Sequence, residues 1–385
     1  MRSWNLVATC AFGLESLTAR ELQNLGYETK SENGLVRFTG DDTAIARANL
    51  WLRTAERVFV ELASFEARTF EELFQGTTDI AWENILPKDA TFPVVGKSVK
   101  STLHSVPACQ SITKKAIVER LSRFHHQQTF EETGATYKVE VSLLKDVATI
   151  RLDTSGSGLH RRGYRLLNAT APLRETLAAA LVLLSRWDAH RPFIDPMCGS
   201  GTIAIEAALY GLRRAPGLLR DFDAEFWPTI HAKVFDDARM EAKDLARDVP
   251  LNIIASDIDN DVLELTRRHI NFAELGDTIT VRRADARKLE PEDEYGCIIS
   301  NPPYGERLMS VEETERLYKE IGRRFRQLPT WSVFILTSDP HFERLYGAKA
   351  DKRRKLYNGR IETQLYQYLG PLPPRHDKGK TLSDS

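Results

Sequence analysis

The stretch Cys297-Ile298-Ile299-Ser300-Asn301-Pro302-Pro303-Tyr304-Gly305 decides how this chain is built. An apolar run followed by two prolines reads as a buried parallel strand that stops abruptly, because proline lacks the N–H a central strand must donate. Asn301 is thereby placed at the carboxyl end of a strand, where open α/β sheets bind their ligands. Its side-chain oxygen and the proline carbonyls are acceptors that no β-ladder can satisfy. A planar exocyclic NH2 suits such a pocket, since accepting both hydrogens favours the amine as it gains positive charge during attack on an electrophile. Tyr304 offers a ring on which the attached base can stack. Taken alone the motif serves equally well as a turn after a strand, so its partners elsewhere decide.

Working outward, residues 166–370 alternate long helical patterns with apolar runs, which predicts a parallel, doubly wound sheet. Candidate strands are Phe193-Ile194, Ile253–Ser256, Ile279–Arg282, Cys297–Ser300 and Ser332–Thr337. The Asn358-Gly359 turn followed by Gln364–Leu369 predicts a hairpin whose edge strand runs antiparallel. Three acids close successive strands. Asp195 opens the loop Asp195-Pro196-Met197-Cys198-Gly199-Ser200-Gly201-Thr202, Asp257 precedes Ile258, and Asp285 precedes Ala286.

Glycines let such a loop approach a ligand closely, and the helix after it presents free N–H groups. A triphosphate loop would need Lys before the Ser or Thr, and none is present. The dinucleotide fingerprint is nominally met by Gly199-x-Gly201-x-x-Ala204. However, a carboxylate at Asp195 repels a pyrophosphate and suits the ammonium of S-adenosyl-L-methionine. Asp257 can accept both ribose hydroxyls and Asp285 the adenine amine. A methyl-donor site is therefore expected, with Asp195, Pro196, Cys198, Gly199, Gly201, Thr202, Asp257, Ile258, Asp285 and Ala286 as cofactor residues. Asn301, Pro302, Pro303 and Tyr304 are the expected catalytic residues, S-adenosyl-L-homocysteine is the expected product, and no metal is needed.

The 385 residues suffice for two or three domains, and 42% hydrophobic with 28% charged content is ordinary for a globular protein. No apolar run reaches membrane-span length and no signal-peptide pattern opens the chain, so a cytoplasmic location is expected. Cys10, Cys109, Cys198 and Cys297 are scattered singly, with neither zinc spacing nor a disulfide framework. A net charge of −1 means that any nucleic-acid surface must gather its cations locally. Residues 91–130 do so, with Lys97, Lys100, Lys114, Lys115, Arg120 and Arg123 against Glu119 alone. A solvated helix face would look the same.

Residues 1–60 predict a small α+β unit in β-α-β-β-α order, with an Asn33-Gly34 hairpin, and 61–155 a second. Residues 156–165 are expected to link it to the sheet domain. There Thr154–Gly158 reads as flexible, and Arg161, Arg162 and Arg165 as basic RNA contacts. The tail 371–385 is polar and expected to be disordered. The gap from Asp195 to Asp257 is too long for one crossover helix. Its excess, about 213–243 and including Phe222–Trp227, reads as an insertion beside the cofactor pocket.

Residues 1–370 resemble the bacterial THUMP-domain RNA guanine-N2 methyltransferases of the RlmL and YpsC type. The likeness rests on Leu159–Arg165, Ala171–Ala179, Asp195–Thr202 and Asn301–Leu308, and on Lys97, Lys100, Ser101, Gln110, Lys114 and Lys115. It implies a ferredoxin-like region, a THUMP RNA-binding module and a class I Rossmann-like methyltransferase domain, with the same insertion. It adds Pro172 and Leu173 to the cofactor residues and Ser101 to the RNA-binding set. The implied substrate is guanine N2, in 23S ribosomal RNA. Adenine-N6 methylation of DNA or RNA, tRNA guanine-N2 methylation, a catalytically silent assembly factor and a nicotinamide oxidoreductase are the competing readings.

Overall fold

The computed structural model describes residues 3–165, 173–304 and 310–374. The chain forms two compact units, 1–165 with 213–247, and 166–212 with 248–385.

The first unit opens with β1 (Trp4–Cys10), α1 (Glu15–Asn24), the hairpin β2 (Thr29–Glu32) and β3 (Leu35–Gly40), and α2 (Asp42–Trp51). Asp41 caps α2 by accepting the Ala44 N–H. Then follow β4 (Ala55–Glu66), α3 (Phe70–Thr78), β5 (Val94–Val99), α4 (Val106–His125), β6 (Val139–Leu144) and β7 (Val147–Asp153). All seven strands join one sheet in the order β2-β3-β1-β4-β7-β6-β5. The seam is β4, which pairs with β1 through Leu6↔Val60 and with β7 through Val60↔Leu152. Residue 60, where composition suggested a division, lies inside this strand. The two α+β halves therefore share a ladder and a hydrophobic core.

The segment after β7 is not flexible as expected. Thr154 and Ser155 are fully buried, and both hydroxyls bond Asn49 of α2. Arg220 then donates to the carbonyls of Ser155, Ser157, Gly158 and Arg161. Orphan carbonyls that would have kept the chain loose in water are thus satisfied by one guanidinium.

The second unit starts with α5 (Glu175–Ser185), β8 (Phe193–Asp195) and α6 (Thr202–Gly211). After α6 the chain rejoins the first unit, to which residues 213–247 belong. Phe222, Trp227, Ile230 and Phe235 lie in the core of the first unit, the last on α7 (Lys233–Asp244). Trp227 stacks on Tyr137 at 4.5 Å and donates to the Thr136 carbonyl. These rings need an apolar core, and the first unit supplies it.

The chain returns through β9 (Ile253–Asp257), α8 (Asn260–Phe272), β10 (Ile279–Arg283), β11 (Cys297–Ser300), α9 (Val311–Phe325), β12 (Ser332–Thr337), α10 (Phe342–Tyr346), β13 (Lys352–Asn358) and β14 (Ile361–Tyr368). The sheet order is β10-β9-β8-β11-β12-β14-β13. The first five strands run parallel. β14, last in the chain, is antiparallel to both its neighbours. It lies inside the sheet rather than at its edge, because β13 forms the rim. No described helix is long and apolar enough to cross a membrane.

Candidate functional site

Four adjacent parallel strands, β10, β9, β8 and β11, end on the same rim of the sheet. That rim gathers Asp285, Asp257, Asp195 and Asn301, the groups that sequence spacing had marked. A cleft of about 190 Å³ opens there. Pro196 and Met197 line it after β8, Asp257 and Ile258 after β9, Ala284 to Arg287 after β10, and Pro303 after β11. Glu313, Arg316 and Leu317 of α9 contribute the remaining wall. The Ile258 side chain is 54% exposed, an apolar surface that a ligand would cover. The four cysteines are free and buried, and burial pushes the Cys297 thiol up to about 11. Among the described residues, no group of three or more His, Cys, Asp or Glu side chains could hold a metal ion.

The glycine-rich loop is shaped by backbone demands and tied down by α8. Gly199 and Gly201 have φ of +51° and +80°, which side chains rarely tolerate. At Gly201 a Cβ would also come within 2.6 Å of Thr266 Cγ2. Thr266 donates to the Gly199 carbonyl at 2.6 Å, and His269 Nδ1 lies 3.1 Å from the Ser200 carbonyl. Asp257 accepts the Gly199 N–H at 3.0 Å and the Asp259 N–H at 3.1 Å. Each of its oxygens retains a further lone pair for a hydroxyl. Cys198 and Thr202 are buried, and the Cys198 N–H donates to the Ser256 carbonyl.

Asp195 is 1% exposed, and burial, with the Asp257 charge nearby, pushes its carboxyl up to about 8. No described residue makes a well-formed hydrogen bond to its Oδ2 or to Asn301 Oδ1, although the Ser300 hydroxyl, itself without a partner among the described residues, lies near enough to Asp195 to favour its charged form slightly. A buried acceptor left unpaired is costly and awaits a donor. An ammonium answers the first and an amine the second, so these residues fit the amino-acid end of S-adenosyl-L-methionine beside an amine substrate.

The Asn-Pro-Pro-Tyr turn is braced by residues that sequence reading missed. Tyr318 of α9, fully buried, donates to the Pro303 carbonyl at 3.0 Å, and its oxygen lies 2.9 Å from Thr337 Oγ1. Asn358 Nδ2 donates to the Tyr304 hydroxyl at 2.9 Å. The Asn-Gly turn that announced the final hairpin thus also carries a brace for Tyr304. The Ser310-x-x-Glu313 capping box is a sequence signal for the start of α9, though not for which of its side chains braces the turn. Asp285 differs most from expectation, since its carboxylate is already gripped by Arg287, with Nη2 at 2.7 Å. That guanidinium holds the carboxyl below its usual range.

Of the expected RNA contacts, Lys100 and Lys115 are exposed. Lys97 pairs with Glu140 at 3.1 Å and Lys114 with Glu132 at 2.6 Å. Arg120 and Arg123 pair with Glu83 and Glu119. Ser101 bonds the Val99 carbonyl and the Asp146 N–H. Arg161 is exposed and Arg165 half-buried. Arg162 corrects expectation, being 2% exposed with its guanidinium on the carbonyls of Leu52, Arg53 and Leu159. A guanidinium spent on buried backbone acceptors is unavailable to phosphate. Leu173 is buried, while Pro172 and Gly305–Leu308 lie outside the described residues.

Residues 162–367 match the RMKL-like, methyltransferase domain, residues 5–59 the RlmL ferredoxin-like domain, and residues 67–153 the THUMP domain. The chain is 52% identical to a Bacillus subtilis (strain 168) protein named "Putative RNA methyltransferase YpsC", across 98% of this chain and 99% of that one. It is 35% identical to the ribosomal RNA large subunit methyltransferase K/L of Psychromonas ingrahamii across 94% of this chain, and spans half of that protein. Among solved structures, SMU.472, named "a putative methyltransferase complexed with SAH", is 45% identical with a TM-score of 0.93, over 97% of this chain and 100% of that one. A Listeria monocytogenes str. 4b F2365 chain named as a predicted N6-adenine-specific DNA methylase is 54% identical with a TM-score of 0.92, over 96% and 97%. With these matched domains and this relative, the chain belongs to the RMKL-like family of S-adenosyl-L-methionine-dependent RNA methyltransferases.

Proposed function

We propose that this protein methylates the exocyclic N2 amine of a guanosine in large-subunit ribosomal RNA. The observation that carries the reading is Asn301 Oδ1, a buried acceptor after β11 to which no described residue donates. Asp195, whose Oδ2 no described residue bonds, ends the neighbouring strand. When bound, S-adenosyl-L-methionine supplies an electrophilic sulfonium methyl, so the protein needs only to orient the reactants and stabilise developing positive charge.

In this reading Asp195 takes the ammonium, the loop Pro196 to Thr202 with Leu173 and Pro172 cradles the amino-acid end, and Asp257 takes the ribose hydroxyls. Ile258 and Ala286 flank the adenine, and Asp285 accepts its amine. Asn301 and the Pro302 carbonyl accept the target N2 hydrogens, Tyr304 stacks on the guanine, and Pro303 fixes the turn. A paired guanine hides this amine, so the target is flipped out or lies in a loop. Residues 1–60 and 61–155 dock the RNA, with Lys97, Lys100, Ser101, Lys114, Lys115, Arg161 and Arg165 toward phosphates. Residues 166–370 carry the chemistry, acting in the cytoplasm.

Support for ribosomal RNA comes from the relative named for it. An adenine amine fits the same acceptors, and the Listeria chain's name favours that second reading. The test is transfer of labelled methyl to 23S rRNA by the purified protein, followed by nucleoside mass spectrometry. N2-methylguanosine is expected. N6-methyladenosine overturns the guanine assignment, and no product on ribosomal RNA overturns the ribosomal one.

A further inference from the structure

The Asp285 carboxylate, taken above as the acceptor for the cofactor's adenine amine, is nearly filled by a single neighbour. Its Oδ1 accepts the Arg287 backbone N–H at 3.0 Å and Nε at 2.8 Å. Its Oδ2 accepts Nη2 at 2.7 Å and shares Nε at 3.0 Å. A carboxylate offers about four lone-pair sites. The side-on guanidinium takes one on each oxygen, and the backbone N–H takes the second on Oδ1. One site remains, on Oδ2.

Arg287 is itself held from α9, where Nη1 lies 3.4 Å from Glu320 Oε2. Its fork is thus fixed at both ends, and both Asp285 and Arg287 line the cleft. We infer that Arg287 is a positioning residue for cofactor recognition, turning Asp285 so that its one remaining acceptor selects a six-amino purine over a six-oxo purine. A six-oxo purine would bring a carbonyl against that lone pair, acceptor against acceptor, and such polar mismatches discriminate strongly. Without the fork, Asp285 is free to rotate or take water, and the preference blurs. The inference rests on Asp285 as the amine acceptor.

The test is calorimetric binding of S-adenosylhomocysteine and S-inosylhomocysteine to the full chain and to its Arg287→Met and Arg287→Lys variants, with thermal midpoints recorded alongside. The wild type should prefer the adenosyl compound. Arg287→Met should bind it roughly two- to fivefold more weakly, the size of a partly exposed ion pair. The same variant should narrow the adenosyl-to-inosyl ratio, and Arg287→Lys should restore part of it, with midpoints unchanged. An unchanged ratio in Arg287→Met overturns the inference, and tighter binding shows Arg287 to be a competitor. If the wild type itself does not distinguish the two purines, Asp285 is not the amine acceptor, and the inference falls with that assignment.

Discussion

The rim of the second sheet and the basic window of the first unit were read from sequence with equal ease, yet they fared differently on folding. At the rim, each group is fixed by its own backbone: an acid or an amide follows an apolar strand, and the parallel ladder aligns the strand ends. In the window, charge was counted along the chain, but charge acts through space. Glu140 stands 43 positions from Lys97, Glu132 18 from Lys114 and Glu83 37 from Arg120, and each arrives by tertiary folding to pair with its cation. Strand-end placement is a local property and survives folding. Net charge is not, and a window's sum overstates the field it presents.

The sharpest way to break this contrast is Asn301→Ala. If the unpaired Oδ1 is the amine acceptor, single-turnover methyl transfer should fall by roughly 10²–10³-fold, as for other lost positioning and charge-stabilising contacts. RNA affinity in a parallel titration should hardly change. Transfer near the wild-type rate would reduce Asn301 to a turn residue. Next in size is Asp257→Ala, which should cost about 2–4 kcal/mol of S-adenosylmethionine affinity through lost charge-assisted hydrogen bonds. Part of that loss comes through the loop, because the Gly199 N–H loses its acceptor. An unchanged dissociation constant would show that the rim acid serves the fold alone.

Asp195 predicts a pH effect of definite sign. Its carboxyl, raised to about 8 by burial, holds a proton at neutral pH in the free protein. The unfolded chain releases that proton in the ordinary carboxyl range, so the stability Asp195 contributes is complete below that range. It is lost as pH rises toward about 8. A ligand ammonium favours the ionised form, so cofactor binding near pH 7 should expel up to about one proton. Calorimetry in buffers of different ionisation enthalpy measures it. Asp195→Asn should abolish the release and flatten the stability slope. Proton release that persists in the variant assigns the titration elsewhere.

Much of the fold was legible because its signals are local. The Asn33-Gly34 and Asn358-Gly359 turns each join a hairpin, and the apolar runs became β8 to β12. What stayed hidden was non-local. β4 mixes Glu56, Arg57 and Glu61 among apolar residues and so gave no clean strand signal, yet it stitches the two halves of the first sheet. The insertion showed as a length excess, but its aromatic residues did not say which core they would enter. At the site, the acids were visible as strand ends. Tyr318, Thr266 and Asn358 were not, since each reaches the rim from an element distant in sequence. Arg162 misled for the same reason, because basic character along the chain says nothing of burial.

The smallest expected effect tests the other side of the comparison. Lys100 and Lys115 are exposed, and no ion pair to a described residue engages them, whereas Lys97 and Lys114 already hold carboxylates. A cation that reaches phosphate releases counterions and contributes about 0.9 to the slope of log affinity against log salt for a duplex and somewhat less for a single strand. Replacing Lys100 and Lys115 together by Gln should therefore flatten the slope by between one and two. The same change at Lys97 and Lys114 should flatten it less, because their carboxylate partners must first be displaced. Methyl transfer at saturating RNA should be unaffected in both variants, since neither pair belongs to the unit that carries the rim. The measurement is RNA affinity across a salt series. Equal slopes for both variants would mean that the ion pairs open freely and the linear count was a fair guide after all. If neither slope departs from wild type, the window is a solvated face and the docking surface lies elsewhere.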